Sequence, residues 1–351
     1  MVPKYIGLIV SLISGSAAAE SLNVLLYHHV ADDTPFSTST TVADFTAQLD
    51  DFVEKGYQIV NLEQAVARIR AGKPLAQKSL ALTFDDGFSS VCKNAYPELK
   101  KRGMPFTVFV TTDPIDHHYP SYCTWSQLKE MAQNGATIAN HTRDHAHLVR
   151  GALSEAPWLT RAQDNISQAQ QRIENKIGQT SALFAYPYGE YNNTLKQWLD
   201  VQGYIAFGQQ SGSIGTTSDW QALPRFNAAG HYATPKALKL KITASPLPVD
   251  YQQLPDPLTQ NTQPDLSVKV LPSKRVYYPH LQCFLNGQAI DVVWNSSQTQ
   301  FSATPPKPLT QGRHRLNCTA PHRQGTPYYW LSQQWIVVPE ALEGNKPTPT
   351  G

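Results

Sequence analysis

Apolar positions in this chain follow two rhythms that alternate over roughly its first two thirds. Short, almost unbroken apolar runs occur at residues 22–30, 57–60, 80–84, 106–110, 136–140, 182–186, 204–207 and 222–226. Runs of that length, bounded by turn residues, read as strands buried on both faces. Between them the apolar residues recur at helical spacing. Residues 42–55 place Phe45, Leu49, Phe52 and Val53 on one side, and 62–71, 89–102, 125–134, 160–177 and 193–202 read as further helices. Gly56, Gly72, Gly103, Gly135, Gly178 and Gly203 close these segments, as glycine does at helix C-termini. Strands alternating with helices imply parallel β/α units, and seven or eight of them is a barrel-like count.

The pattern then changes. Residues 246–265 are rich in Pro, Gln and Asp and lack periodicity, which reads as a linker. Residues 266–340 return to β-type runs at 266–271, 276–284, 290–294, 313–318 and 328–338, the spacing of a small β-sandwich. The tail 341–351 reads as flexible. At the other end, Lys4 precedes the apolar core Ile6 to Ile13, and Ser16-Ala17-Ala18-Ala19 offers a cleavage site before Glu20. Residues 1–19 are therefore read as a signal peptide, leaving 20–245 as the β/α domain. The apolar core is too short for a stable membrane span.

Composition narrows the function classes. A formal net charge of +2 gives no electrostatic case for nucleic acid or an anionic membrane. The four cysteines suit the periplasmic or secreted location that an export signal implies. Cys283 and Cys318 are expected to pair; whether Cys92 and Cys123 pair stays open.

In a parallel β/α fold, chemistry collects at the C-terminal ends of the strands. The residues at those ends are His28, Asp85, Asp86, His141 with His145, Tyr188 and Arg225. Adjacent Asp85 and Asp86 repel unless a cation or proton sits between them. His141 and His145, four apart, share one face if the segment is a helical turn. With Asp86 they would make a two-His, one-carboxylate site with open positions. Zn²⁺ suits that set; Ni²⁺, Co²⁺ and Fe²⁺ stay open.

Thr83-Phe84-Asp85-Asp86-Gly87, His141-Thr142-x-x-His145 and Tyr186-Pro187-Tyr188-Gly189-Glu190-Tyr191-Asn192 resemble, in order and spacing, the motifs of the polysaccharide deacetylase family (carbohydrate esterase family 4, NodB-type). The likeness covers residues 22–230 and implies a distorted (β/α)7-8 barrel, here followed by the small all-β domain. It also implies a divalent metal and removal of N-acetyl groups from an amino-sugar polysaccharide or oligosaccharide. By this resemblance Asp85 is the general base, and Asp86, His141 and His145 hold the metal. The backbone at Pro187-Tyr188 would serve the oxyanion. The early Tyr27-His28-His29-Val30 resembles the branch typified by poly-β-1,6-N-acetylglucosamine deacetylases, and in that branch His28 is the acid. His231 is a weaker candidate. Two positions qualify the likeness. Position 185 is Ala where many members carry the arginine that partners the base, and Arg225 either replaces it or forms a surface ion pair. Trp125 and Tyr188 are candidates for stacking on sugar rings, with core packing the alternative for Trp125. His147 is read as an exposed loop residue. The alternatives to an N-deacetylase are a non-catalytic carbohydrate-binding protein on this scaffold and an O-acetyl esterase.

Overall fold

The computed structural model describes residues 18–154 and 157–338. The signal peptide read over 1–19 lies outside them except for Ala18 and Ala19, and the 341–351 tail lies wholly outside.

Seven parallel strands form the central sheet: β1 (Asn23–Tyr27), β2 (Ser79–Phe84), β3 (Phe106–Val110), β4 (Ala136–Asn140), β5 (Leu183–Ala185), β6 (Ile205–Phe207) and β7 (Phe226–Asn227). Their spatial order is β6-β5-β4-β3-β2-β1-β7, with the short Gln58–Ile59 strand beside the start of β2. Leu223 bridges to Phe207 while Phe226 and Asn227 pair with β1. One segment therefore links the two ends of the sheet, which gives the distorted barrel its closure. The sequence run at 222–226 is mostly irregular for this reason: it crosses from one strand to another instead of pairing with either throughout.

The helices follow the apolar spacing. They are α1 (Val42–Glu54), α2 (Leu62–Arg70), α3 (Tyr96–Lys101), α4 (Thr112–Asp116), α5 (Trp125–Gln133), α6 (Trp158–Ile177) and α7 (Asn193–Val201). Thr41, Asn61, Thr124 and Asn192 cap α1, α2, α5 and α7 through side-chain oxygens. Phe45, Leu49 and Phe52 of α1 are fully buried, and Phe45 packs on Tyr27 and Phe84 at the ends of β1 and β2. Each such side chain contributes about 1.5–3 kcal/mol of burial, and here that burial also fixes the strand ends that carry the polar residues. The run 89–102 is not one regular helix. A wider turn over Val91–Ala95 precedes α3.

Both cysteine pairs form disulfides, Cys92–Cys123 and Cys283–Cys318. In the C-terminal part, β8 (Leu266–Lys269), β9 (Gln282–Leu285), β10 (Gln288–Ile290), β11 (Val293–Trp294), β12 (Gln300–Ala303), β13 (Gly312–His322) and β14 (Gly325–Val337) make two sheets. Residues 276–281, expected as strand, instead turn through Tyr278–His280. Trp335 is buried and Trp330 packs on Phe226 of the barrel, so these aromatics serve packing. Within 246–265, Leu258–Thr259 pairs with β14, so this stretch carries part of the second sheet.

Candidate active site and metal centre

The site begins where β2 stops. Thr83 is the last residue but one of the strand, and its hydroxyl bonds the Leu25 carbonyl of β1 at 2.7 Å. Asp85 N–H continues the ladder to the Tyr27 carbonyl at 2.9 Å. Asp86 then turns left-handed, φ 71°, followed by Gly87 at φ 81°. Asp tolerates that region better than most residues. The sharp turn breaks the strand alternation one residue earlier than the glycine suggests, and the two carboxylates acquire different surroundings.

Asp85 is completely buried against Arg225, itself completely buried. The guanidinium forms a fork on the carboxylate, Nη1–Oδ1 at 2.6 Å and Nη2–Oδ2 at 2.8 Å. Its Nε donates to the Gly208 carbonyl at 3.0 Å, and Nη1 also reaches the Thr83 hydroxyl at 3.2 Å. Arg225 is thus no surface ion pair. Burial pushes the Asp85 carboxyl up, but the Arg225 charge, then His141, the Arg225 hydrogen bonds and His28, hold it below the ordinary carboxylate value.

Asp86 Oδ1 lies 3.2 Å from Nε2 of both His141 and His145. The helical turn expected for the two histidines is absent. The segment is an irregular loop with Thr142 at φ 71° and His145 at φ 60°. Side-chain bonds fix it instead. Thr142 N–H bonds Asn140, Arg143 N–H bonds Asn165, and His145 N–H bonds the Thr142 hydroxyl. The His141 Nδ1 is 2.7 Å from the Ala185 carbonyl. That contact places the proton on Nδ1 and leaves Nε2 free as a ligand. Asp86 Oδ1 and His141 Nε2 are buried without a hydrogen-bond partner, despite their proximity to each other. Lone pairs that converge on a point rather than on a donor fit a divalent cation, and among the described residues Asp86, His141 and His145 form a group able to hold one. Burial would raise the Asp86 carboxyl; the two imidazoles and His28 reverse this and hold it well below its usual range.

His28 follows directly on β1, close enough to Asp86, Asp85 and His141 for their charges to act on it. Its Nδ1 is buried without a partner, and burial lowers its pKa while Asp86 and Asp85 oppose that shift. Its neighbour His29 points elsewhere and stacks on Phe88 at 3.8 Å. His231 packs on Phe36 at the rim.

Pro187 and Gly189 are buried, with Tyr188 between them in a left-handed turn, φ 58°. The Gly189 and Glu190 N–H groups close this turn on the Tyr186 and Pro187 carbonyls. Its ring meets His145 edge-on at 4.5 Å and stacks on His147 at 3.8 Å. His147 is therefore more than a loose loop residue: it bonds the buried Glu190 at 2.9 Å, which Arg150 also grips. These three supports of Tyr188 escape a reading of the sequence, although Glu190 stands inside the quoted motif. Trp125 is not brought to the centre. Its indole N–H donates to Asp116 at 2.7 Å, and Arg172 holds the same carboxylate.

Residues 72–206 match the family model for polysaccharide deacetylase. YxkH of Bacillus subtilis (strain 168) is 30% identical over 183 residues, 52% of this chain and 62% of that protein. The poly-β-1,6-N-acetyl-D-glucosamine N-deacetylase of Escherichia coli (strain K12) is 24% identical over 209 residues, 49% of this chain and 31% of that protein. The chain thus spans less than two thirds of either relative. The structure of IcaB from Ammonifex degensii superposes with a TM-score of 0.56 at 26% identity, covering 63% of this chain and 97% of that one. Among the described residues no helix is long and apolar enough to cross a membrane.

Proposed function

We propose, from the match of residues 72–206 to the polysaccharide deacetylase family model, that this protein is a metal-dependent hydrolase removing N-acetyl groups from an N-acetylglucosamine polysaccharide outside the cytoplasm. The observation that carries the reading is the division of labour between the adjacent carboxylates. Asp86 faces two imidazoles, while Asp85 faces Arg225.

Held by Asp86, His141 and His145, a divalent cation would polarise the acetamide carbonyl and make a water more acidic. Zn²⁺ is proposed, since two imidazoles and a carboxylate suit it. Asp85, kept ionised and aimed by the Arg225 fork, takes the proton from that water as its oxygen adds to the carbonyl carbon. The Tyr188 N–H donates to the oxygen that gains charge. His28, in its protonated form, gives a proton to the departing nitrogen as the C–N bond breaks, so acetate and a free amine leave. Two disulfides support an oxidising compartment, periplasmic or extracellular.

The test is acetate release from β-1,6-linked N-acetylglucosamine oligomers by the zinc-loaded protein, alongside calorimetric titration of zinc. A chelator and Asp86→Asn should each abolish both zinc binding and release. Zinc binding with no acetate released from any N-acetylated glycan would overturn the proposal. Release from O-acetylated glycans alone would make the protein an esterase.

A further inference from the structure

Strand β13 carries two arginines toward the rim of the site. Arg313 and Arg315 are two residues apart and so lie on one face of the strand. Across the ladder they oppose Ile336 and Gln334 of β14, which share that face. Gln334 is buried, and its side-chain amide donates to the Gly189 carbonyl at 2.6 Å. The face that bears both arginines is therefore turned to the 187–190 loop. Arg313 repeats the point: its Nη1 reaches the Gln209 side-chain oxygen at 3.4 Å. Gln209 in turn abuts Gly189, where an added Cβ would lie 2.6 Å from the Gln209 nitrogen. Arg315 is near enough to Tyr232, on the segment that follows β7, and to Lys241 for their charges to interact. The wall thus runs over the barrel seam between β6 and β7.

These cations lack counter-ions. Among the described residues neither Arg313 nor Arg315 makes an ion pair, which they share with the exposed Arg68, Arg70, Arg275 and Arg323, whereas Arg102, Arg143, Arg150, Arg172 and Arg225 all do. Glu190, the acid that Arg313 senses, is already gripped by Arg150 and His147. Partial burial pulls Arg313 down to about 10, a value at which its guanidinium still keeps its charge in neutral water. Arg313 is half-buried with a neutral partner but no counter-ion, an arrangement that is costly unless an anion arrives from outside. The chain as a whole is nearly neutral, so this local excess is not part of a general basic surface.

We propose that Arg313 and Arg315, together with Arg150 on the far side of Glu190, form a subsite for an oxyanion substituent, carboxylate or phosphate, on the glycan whose acetamide enters the site. The proposal rests on reading the site as a glycan deacetylase. It gives the β-domain a role in choosing substrate, through arginine forks suited to carboxylate and phosphate oxygens. It also distinguishes substrate from product, because deacetylation leaves an ammonium that this wall repels.

The test compares one backbone in three forms: a β-1,6-N-acetylglucosamine pentamer left neutral, chemically O-succinylated, or O-phosphorylated. Binding to the zinc-loaded full chain is measured by calorimetry at low and high salt, and acetate release is followed in parallel. At least one charged form should bind about tenfold more tightly than the neutral one, as two modest charge-assisted contacts allow, and the advantage should shrink with salt. The form preferred identifies the anion. Arg313→Gln with Arg315→Gln should bring the charged-to-neutral ratio close to unity; if that pair fails to fold, Arg315→Gln alone should lower the ratio. Equal affinity of the wild-type protein for all three forms would overturn the subsite whatever the activity. A retained preference without any acetate release would sink the deacetylase reading and leave the subsite standing.

Discussion

Replacing Arg225 by Met tests the buried pair that sets the state of Asp85, the proposed base. The Asp85 carboxylate is completely buried, and the Arg225 fork is the charge that compensates it. Breaking such a pair from one side costs about 3–5 kcal/mol. Gly208 and Thr83 also lose a donor, adding about 1 kcal/mol each. For a unit of this size, 1 kcal/mol moves Tm by about 2–4 °C, so Arg225→Met should lower it by roughly 10–28 °C. Asp85→Asn strands the guanidinium instead and should cost a comparable amount. The double variant Asp85→Asn with Arg225→Met leaves no unpaired charge. It should therefore be more stable than the two separate losses imply, by about 2–3 kcal/mol. Calorimetry or circular dichroism melts of the four proteins measure the cycle. Acetate release adds a second readout: Arg225→Lys restores charge without the fork and should recover only part of the rate lost in Arg225→Met. Strict additivity of the two single changes, or an Arg225→Met protein as stable as wild type, would refute the reasoning.

Two further expectations are independent of that pair. His28→Ala should reduce kcat by about 10²–10⁴, the usual worth of a positioned acid, while His29→Ala and His231→Ala leave most of it. Equal losses in all three would remove His28 from the acid's role. Lys241 supplies a pH signature. Burial first, and then the Arg315 charge, lower it from 10.5 to about 7. In the unfolded chain the amine keeps its proton up to its ordinary value. Between the two values the unfolded state binds more protons, so folding stability rises with pH there. A shift of this size corresponds to at most about 5 kcal/mol; the Asn227 carbonyl at 3.2 Å and the Tyr232 ring at 3.1 Å favour the ammonium and reduce it. Denaturant unfolding between about pH 7 and 10 should show stability climbing by about 2–3 kcal/mol, and Lys241→Met should flatten the climb. A wild-type profile without that climb would show that the amine stays charged in place.

The alternation of strands and helices was legible because both faces of each β strand are buried, which leaves unbroken apolar runs, and because α1, α2 and α7 turn one apolar side inward. The geometry of the site was less legible. The spacing of His141 and His145 suggested a helical turn, but sequence spacing cannot report that Thr142 and His145 adopt positive φ. What replaces the helix is a set of bonds from Asn140 and Asn165, residues that carry no periodic signal. The support of Tyr188 by His147 and Glu190 was hidden for a related reason: the two are 43 positions apart.

Position 185 shows why a missing side chain need not mean a missing function. The resemblance places an arginine there, and Ala185 left Asp85 without a visible partner. In the fold, the side-chain role passes to Arg225, which arrives from the segment leading into β7 and meets Asp85 across 140 residues of sequence. The backbone of position 185 keeps a separate task, since its carbonyl accepts a hydrogen bond from the Nδ1–H of His141 and so leaves Nε2 toward the cation site. A backbone carbonyl is indifferent to the side chain it accompanies, so this task survives the loss of arginine. The two duties can therefore separate in evolution or by design. An Ala185→Arg change would bring a second guanidinium toward a carboxylate already occupied on both oxygens by Arg225. Ala185 is itself completely buried, so the added volume and charge have neither room nor a free acceptor. The arginine can be supplied from β5 or from the approach to β7, but this site has space for one.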